Sequence, residues 1–473
     1  MKKFLSIILT ICLILGFIPS GLFCITANAY TSGFYTYTVS NRKATITAVH
    51  PSIIGNIDVP SNLDGYTVTA IGNYAFENCT ALKSITISKY IEEIGWSAFS
   101  GCSEIESIIV DKENKYYSSQ NNCLIEKSRK MLLRGCNNSV IPSDGSVTSI
   151  GISAFDHCKD IFSIIIPNCV TSIGSYAFSG CSNLNEIDIL NNKTSIGNNA
   201  FFDTSYYNNN DNWEKGVLYI DKYLIEAQNA LCGSYNIKPN TVNISSNAFD
   251  YCYELESITI PNSVLLIGNQ AFSNCNKLKS ITISNILSEI GESAFKNCVE
   301  LKNISLPDSI TSIGKDAFLN TGYYNESGNW NNSVLYLDNH LIKANSSLTD
   351  SYTIKSGTVT ISPFAFKDCT KLTNIIVPAT TISIGESAFN GCVSLESITL
   401  PFVGDGTSEN TNFGYIFGDY FGASNNYVPS TLESVVILND CDIEEYAFYD
   451  CKSLVSITLP TNVSYIADSA FKG

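Results

Sequence analysis

Cysteine is the residue type whose spacing first suggests chemistry. Ten of the 17 cysteines occupy one position of a repeating pattern: Cys79, Cys102, Cys158, Cys181, Cys252, Cys275, Cys298, Cys369, Cys392 and Cys451. Such residues could form disulfides in an exported protein. Equivalent positions of stacked coils, however, have parallel Cα–Cβ bonds, whereas a disulfide requires the two to point at each other. We therefore predict that these repeat cysteines are buried thiols that pack as small apolar side chains.

The other cysteines leave one bridge open. Cys123 and Cys136 flank a predicted hairpin, so they are either bridged or two separate thiols. A metal ladder is not favoured, because no His accompanies the repeat cysteines regularly. His157 and Cys158 could form a catalytic dyad, but the residue before the other repeat cysteines varies, which favours ordinary sequence variation. No motif of a hydrolase, metalloprotease, phosphate loop or calcium loop is present, and we predict a protein that is not an enzyme and has no cofactor.

A 23-residue repeat positions these residues. The dipeptide Ala-Phe recurs thirteen times, and the fullest unit, Cys252 to Cys275, reads C-x-x-L-x-x-I-x-I-P-x-x-V-x-x-I-G-x-x-A-F-x-x-C. Its Leu and Ile residues match the strand core of a leucine-rich repeat. One coil cannot bury this face alone, so neighbouring coils must stack into a solenoid. Pro261 should end the strand, Gly268 should suit a turn, and Ala271-Phe272 should pack in the interior.

The repeat units resemble a known family. Segments of the form SVTSIGxxAFxxCxxLxSITIP resemble the BspA-like leucine-rich repeats of secreted and surface proteins, from near Tyr35 to Phe471. The resemblance implies an adhesion or ligand-binding surface at the cell exterior. The expected fold class is α/β: a right-handed, β-dominated leucine-rich-repeat solenoid, with a parallel sheet on the concave face and short helical turns and hairpin inserts elsewhere.

The domain organisation follows from the repeat and from the N-terminus. Lys2 and Lys3, an apolar run and the triplet Ala27-Asn28-Ala29 indicate a signal peptide over residues 1–29. We expect a capping segment over 30–70 and a solenoid over 71–473, with inserts at about 111–145, 204–240, 321–357 and 402–430. The chain stops at Gly473, where the next repeat cysteine would fall, which predicts a truncated reading frame or an anchor further downstream.

The charge of the chain limits its partners. The sequence has 44 acidic and 28 basic side chains and a net charge of −16. Nucleic acid binding requires clustered Lys and Arg, so a nucleic acid partner is not expected, nor is a membrane span after signal cleavage. The expected partner is an extracellular protein or glycan.

Aromatic residues in the inserts are candidate contacts. Two inserts have nearly the same sequence, and their Trp213 and Trp330 either bind a ligand or cover the solenoid where a coil is interrupted. The last insert is the first choice for a specific contact, with packing against adjacent coils as the alternative. Its rings are Phe402, Phe413, Tyr415, Phe417, Tyr420, Phe421 and Tyr427.

Small hydroxyl residues dominate the outward positions of the predicted strands. Examples are Ser257, Thr259, Ser280 and Thr282, which would form a flat hydrogen-bonding face, although Ser and Thr are also ordinary exposed strand residues. The sequence thus predicts an exported, non-catalytic protein that mediates protein–protein or cell-surface adhesion. The alternatives are a carbohydrate-binding surface module and a structural spacer that displays a downstream domain.

Overall fold

The computed structural model describes residues 29–406, 412–419 and 425–473. The chain divides into two compact units, Met1–Glu214 and Lys215–Gly473. Each unit is a β-dominated solenoid of stacked parallel strands, as the repeat predicts. The first 28 residues, with all but the last residue of the predicted signal peptide, lie outside the described residues. In the part of the chain that is described, no helix has the length and apolar character needed to cross a membrane.

The strands of the first unit are β1 Tyr30–Ser32, β2 Tyr35–Ser40, β3 Lys43–Val49, β4 Gly55–Asp58, β5 Asn62–Leu63, β6 Tyr66–Ile71, β7 Leu82–Ile87, β8 Glu93–Ile94, β9 Ser107–Val110, β10 Tyr117–Gln120, β11 Cys123–Glu126, β12 Met131–Arg134, β13 Ser149–Ile150, β14 Ser163–Ile166, β15 Ser172–Ile173, β16 Glu186–Ile189, β17 Ser195–Ile196 and β18 Trp213–Glu214. A helical turn α1 (Ser205–Asn208) and a 3-10 turn (Asn210–Asn212) precede β18.

The strands of the second unit are β19 Val217–Ile220, β20 Tyr223–Ala227, β21 Gly233–Asn236, β22 Asn243–Ile244, β23 Leu255–Thr259, β24 Leu266–Ile267, β25 Ser280–Thr282, β26 Glu289–Ile290, β27 Ser312–Ile313, β28 Trp330–Asn331, β29 Val334–Leu337, β30 His340–Ala344, β31 Thr349–Thr353, β32 Thr360–Ile361, β33 Lys371–Ile376, β34 Ser383–Ile384, β35 Ser397–Leu400, β36 Ser434–Ile437 and β37 Ser456–Thr458. The helical turns are α2 (Gly322–Asn325) and two 3-10 turns (Ser327–Asn329 and Phe413–Ile416).

Each regular coil contributes one strand to a main parallel ladder. In the second unit β23 pairs with β25, and the five strands β31, β33, β35, β36 and β37 pair in that order. Side chains alternate across the pleat, so Ile258 and Ile260 point inward. Leu255 precedes a shift in the register and is buried as well; all three residues are at most 2% exposed. The outward positions keep the small polar residues.

A second parallel ladder runs through the Ile-Gly segments. Leu266-Ile267 of β24 pairs with Glu289-Ile290 of β26, and each coil repeats this two-residue strand. Gly268 follows β24 without a left-handed φ; a Cβ there would lie 2.5 Å from the backbone nitrogen of Ser246 in the preceding coil. The glycine is therefore required by close coil-to-coil approach, in addition to the turn that the sequence suggested.

The Ala-Phe dipeptides form the third side of each coil. The amide of Phe272 donates to the carbonyl of Ala294 in the next coil at 2.8 Å. The Phe249, Phe272 and Phe295 rings stack with centroids 5.0 and 5.2 Å apart and interplanar angles of 9° and 2°. These buried rings form a continuous column, in agreement with the interior packing predicted for Ala271-Phe272.

Two backbone positions in each coil lie in the left-handed region. The residue before Ala-Phe has φ between 50° and 63° in all thirteen repeats. The residue before the repeat cysteine also has a positive φ, for example Asn78 (58°), Gly101 (71°) and His157 (58°). Gly, Asn and Asp adopt this conformation most easily, which explains why they are common before the repeat cysteines.

Hairpins interrupt the regular coils, as expected from the inserts. β11 pairs antiparallel with β12, β19 with β20, and β29 with β30. The second strand of each hairpin then pairs in parallel with the next two-residue strand of the second ladder, as Leu341 does with Ile361. The inserts thus rejoin the solenoid through its second ladder.

Candidate binding surfaces

The outward side of β23 and β25 carries two aligned rows of hydroxyl groups. In the parallel register Ser257 lies beside Ser280, and Thr259 lies beside Thr282. Ser257 is half-buried and the other three are exposed. Ser234 of β21 extends one row, since the Ser257 hydroxyl donates to its oxygen at 2.6 Å. We call Ser234, Ser257, Thr259, Ser280 and Thr282 the hydroxyl face.

Ion pairs border the hydroxyl face at the start of its strands. Lys277 lies 2.6 Å from Glu254, while Lys279 lies 3.2 Å from Glu256 and 3.9 Å from Glu300. All five side chains are about half exposed, so their contribution to stability is small, at most about 1 kcal/mol per pair. The face is uncharged in the middle and has a charged rim on one side, an arrangement found in protein interfaces.

The tryptophans of the two related inserts have the same environment. The Trp330 indole Nε1 donates to the Tyr324 carbonyl at 2.8 Å, and the rings meet edge to face at 5.3 Å. Trp213 donates to the Tyr207 carbonyl at 2.8 Å, with the rings at 5.2 Å. Both indoles are half-buried, and their only polar group already has a partner. This geometry favours a covering role over a ligand contact.

The last insert places its aromatic rings in different environments. Phe413 and Phe417 are 0% and 1% exposed, and Phe413 lies 4.9 Å from Phe448 in the core. Tyr427 is 62% exposed, whereas Phe402 and Tyr415 are half-buried. The two predicted contacts Tyr420 and Phe421 lie outside the described residues. Of the described rings, Tyr427 is therefore the one most accessible to a ligand, and Phe413 and Phe417 belong to the core.

Tyr415 also lines a cleft of about 620 Å³ in the second unit. Thr360, Ser383, Glu386 and Asp405 contribute to its walls. The cleft lies where a lengthened coil separates β27 from β32 in the second ladder. Its walls combine hydroxyl and carboxylate groups with apolar side chains such as Ile313 and Ile384.

The repeat cysteines make a regular contact. The Cys275 sulfur donates to the Phe249 carbonyl at 3.1 Å, Cys298 to Phe272 at 3.1 Å and Cys392 to Phe366 at 3.2 Å. Burial raises the pKa of the Cys158 thiol to about 11 and that of Cys252 to about 12, which holds both neutral. These thiols pack and donate weak hydrogen bonds instead of acting as nucleophiles.

Threonine replaces cysteine where each of the two related inserts begins. The Thr321 hydroxyl donates to the Phe318 carbonyl at 3.0 Å and accepts from the Tyr324 amide at 3.1 Å. Thr204 makes the same two contacts with Phe201 and Tyr207. Each threonine is thus the N-cap of the helical turn that follows, a role that the sequence analysis missed although the T-x-x-Tyr spacing is repeated.

The irregular cysteines of the first hairpin are two free, buried thiols. Cys123 faces the carbonyl of Val140 at 3.6 Å, and Cys136 faces that of Asn122 at 3.8 Å. The His157 ring is half exposed and its Nδ1 lies 3.6 Å from the Asp156 carboxylate. That carboxylate raises the pKa of His157, while Cys158 is buried.

A buried ion pair was not foreseen from the sequence. The Arg134 guanidinium, 2% exposed, donates to the Asp156 carboxylate and to the Cys102 carbonyl, the latter at 3.0 Å. Burial opposes ionisation of Asp156, but the Arg134 charge and hydrogen bonds from neighbours such as Ser100 outweigh it and keep its pKa below the usual range. In the sequence, Arg134 resembles the exposed cations of the nearby hairpin turn, so only the structure identifies it as part of the core.

Comparison with known proteins agrees with the repeat. The family model described as the BspA type leucine rich repeat region matches residues 54–129, 129–231, 228–349, 344–415 and 422–473. No curated protein matches the chain. The residues that the family model matches make up most of the chain.

Several solved structures are similar to the chain. A leucine-rich repeat protein from Bacteroides ovatus is 20% identical, with 94% of this chain and 92% of that chain covered and a TM-score of 0.26. A leucine rich cell surface protein from Faecalibacterium prausnitzii is 20% identical, with coverages of 94% and 96% and a TM-score of 0.23. The pneumococcal vaccine antigen PcpA is 16% identical, with coverages of 93% and 99% and a TM-score of 0.24.

Proposed function

Since this chain belongs to the BspA-type leucine-rich-repeat family, we propose that it is an exported, non-catalytic protein that binds an extracellular protein through its hydroxyl face. The family suggests protein–protein or surface interaction. Export is supported by the N-terminal sequence, with Lys2 and Lys3 before an apolar run. We further propose that this binding mediates adhesion at a cell surface.

The observation that carries the proposal is the register of β23 and β25. It aligns Ser257 with Ser280 and Thr259 with Thr282, at about 4.8 Å between strands. Short hydroxyl side chains lose little rotamer entropy when a partner binds. They also provide both donors and acceptors. The flat rows would accept the larger anchors of a partner, while the ion pairs at the rim orient it.

A steric block tests the proposal. Replacing Thr259 or Ser280 with Arg adds a long, charged side chain to the exposed face without disturbing the buried Ile258. We expect binding to a panel of extracellular matrix proteins and to epithelial cells to weaken about tenfold or more, measured by surface plasmon resonance and cell attachment. The matched control is Ser347→Arg, because Ser347 is an exposed serine in a turn outside the ladder.

The binding measurements distinguish the hydroxyl face from the last insert as the contact surface. Equal binding by the wild-type protein, Thr259→Arg and Ser280→Arg would remove the hydroxyl face from the proposal. Loss on Tyr427→Ala with no loss on Thr259→Arg would move the contact to the last insert. A point substitution is preferable to deletion of residues 402–427, because deletion would also remove the core rings Phe413 and Phe417.

A further inference from the structure

Two successive coils of the first unit carry the same exposed dipeptide. Lys89-Tyr90 follows Ser88 in one coil, and Lys115-Tyr116 follows Asn114 in the next. The Asn114 side-chain amide joins the two segments, because it donates to the Ser88 carbonyl at 2.9 Å and to the Ile91 carbonyl at 3.0 Å. Tyr90 and Tyr116 are 47% and 46% exposed. The result is a short ladder of lysines and tyrosine rings on the surface.

This ladder forms one side of a groove of about 670 Å³. The strand that begins at Lys43 and its parallel neighbour at Thr67 form the other side. Arg42 precedes Lys43 in a tight turn, with a φ of 63°. The groove therefore crosses successive coils of the solenoid and is open along its length, which suits an elongated ligand.

The groove is positive in a protein that is strongly acidic. Four cations line it, and two carboxylates pair with two of them: Lys43 lies 2.6 Å from Glu92, and Lys89 lies 2.7 Å from Glu113. Among the described residues, Arg42 and Lys115 have no ion-pair partner. Four cations minus two carboxylates leave a local charge of +2, whereas the chain carries −16.

We propose that this groove binds an acidic polysaccharide. Arg42 and Lys115 would pair with carboxylate or sulfate groups of the glycan. The exposed faces of Tyr90 and Tyr116 would pack against sugar rings, since Tyr supplies a large, rigid apolar contact with a polar tip. The Thr67 hydroxyl would hydrogen-bond sugar hydroxyls.

The charge density of the groove favours a glycan over a nucleic acid. Nucleic acids carry one phosphate per nucleotide, and their binding typically needs several phosphate contacts. Two unpaired cations match the sparser charge of a glycan with one acidic group per disaccharide. The negative field of the remaining chain would also repel a densely charged polyphosphate.

The site is independent of the proposed protein-binding face. It lies in the first unit, whereas the hydroxyl face lies in the second. A Thr259→Arg variant should therefore bind glycan as the wild-type protein does. A negative result for the glycan groove would therefore not contradict the proposed protein-binding role of the hydroxyl face, and the reverse also holds.

The test measures binding of the purified protein to oligosaccharides of equal length by isothermal titration calorimetry. One probe is a glucuronate-containing glycan, a second is sulfated, a third is uncharged, and a fourth is a single-stranded oligonucleotide. We expect both acidic glycans to bind better than the uncharged one. The stronger of the two identifies carboxylate or sulfate as the preferred group.

Two double variants separate the roles of charge and ring. Arg42→Gln with Lys115→Gln should weaken binding of the acidic glycan about tenfold and reduce its salt dependence, because screening acts only on the charged contacts. Tyr90→Ala with Tyr116→Ala should weaken it by a similar factor but leave the salt dependence unchanged. The controls are Lys159→Gln and Tyr465→Ala, which remove an exposed lysine and an exposed tyrosine elsewhere.

Each remaining outcome would overturn the proposal. Equal affinity for charged and uncharged glycans would exclude the role of Arg42 and Lys115. Tighter binding of the oligonucleotide would assign the groove to nucleic acid instead. Absence of binding of the wild-type protein to every probe would show that the groove is not a glycan site.

Discussion

The regular coils and the two coils that carry the related inserts at 204–240 and 321–357 use one position of the repeat differently. In a regular coil Cys275 extends its thiol to the preceding coil, where it reaches the Phe249 carbonyl at 3.1 Å. In a lengthened coil Thr321 turns its hydroxyl to its own Phe318 carbonyl and also accepts the Tyr324 amide. Both residues are fully buried.

The difference shows that the position is defined by packing and hydrogen bonding rather than by sulfur chemistry. A small side chain with one donor is sufficient to fill it. Cysteine suits a coil in which no helical turn follows the position directly, because such a coil needs only a weak donor and an apolar atom there. Threonine suits a coil that is followed by a helical turn, because the turn needs an acceptor at its N-cap.

The largest difference in the effect of a substitution on stability should appear between a phenylalanine of the buried column and a tryptophan of the inserts. Phe272→Ala removes a fully buried ring that stacks on both sides, so we expect a loss of about 3–5 kcal/mol in the free energy of unfolding. Trp330→Ala removes a half-buried ring, and we expect a loss of about 1–2 kcal/mol. Guanidinium chloride unfolding followed by circular dichroism measures both.

This comparison fails if the two variants lose the same stability. A large loss for Trp330→Ala would make the insert part of the core. A small loss for Phe272→Ala would mean that neighbouring rings close the cavity. Phe272→Leu serves as a control, since it keeps most of the apolar volume.

A smaller effect is expected at the threonine cap. Thr321→Val keeps the shape of the side chain but removes both hydrogen bonds of the hydroxyl, so we expect a loss of about 1–2 kcal/mol. Hydrogen exchange should accelerate first at the Tyr324 amide. Thr321→Ser retains the hydroxyl and should keep that amide protected; equal exchange in the two variants would contradict the capping role.

The sequence predicted the parts of the fold that repeat. Thirteen copies of Ala-Phe and the spacing of Leu255, Ile258 and Ile260 were sufficient for the solenoid, because identical coils must bury the same face. Hairpin inserts were part of the expected fold as well. A single repeat unit does not define its secondary structure clearly, but the positions that recur in many units show which residues are buried.

Single features of the chain were harder to predict. Arg134 pairs with Asp156, which is distant in sequence, and no local pattern distinguishes it from an exposed arginine. The environment of Phe413 depends on its packing against Phe448, which composition does not specify. The groove at Tyr90 and Tyr116 arises because Lys43 and Thr67 lie on neighbouring strands, a contact that only the stacked coils create.

The smallest perturbation is chemical modification of the thiols in the native protein. With an alkylating reagent at pH 8, we expect Cys232, which is exposed, to react rapidly and the repeat cysteines to react slowly. The reason is that the thiolate is the reactive form, and burial raises the pKa of Cys158 to about 11 and of Cys252 to about 12. Mass spectrometry of tryptic peptides locates the modified residues, and Cys232→Ser should abolish the rapid reaction.

The same pKa shifts predict how stability depends on pH. An unfolded chain releases its thiol protons near pH 8.5, whereas the folded chain keeps those of Cys158 and Cys252 up to about pH 11 and 12. Ionisation therefore favours the unfolded state as the pH rises above about 8.5, and the unfolding midpoint should fall between pH 7.5 and 9.5. Cys252→Ala should make this fall less steep, because it removes one such group. Disulfide-bonded repeat cysteines would instead resist alkylation even in the unfolded chain until they are reduced, and they would not contribute to this dependence on pH. That result would contradict the assignment of these cysteines as buried thiols.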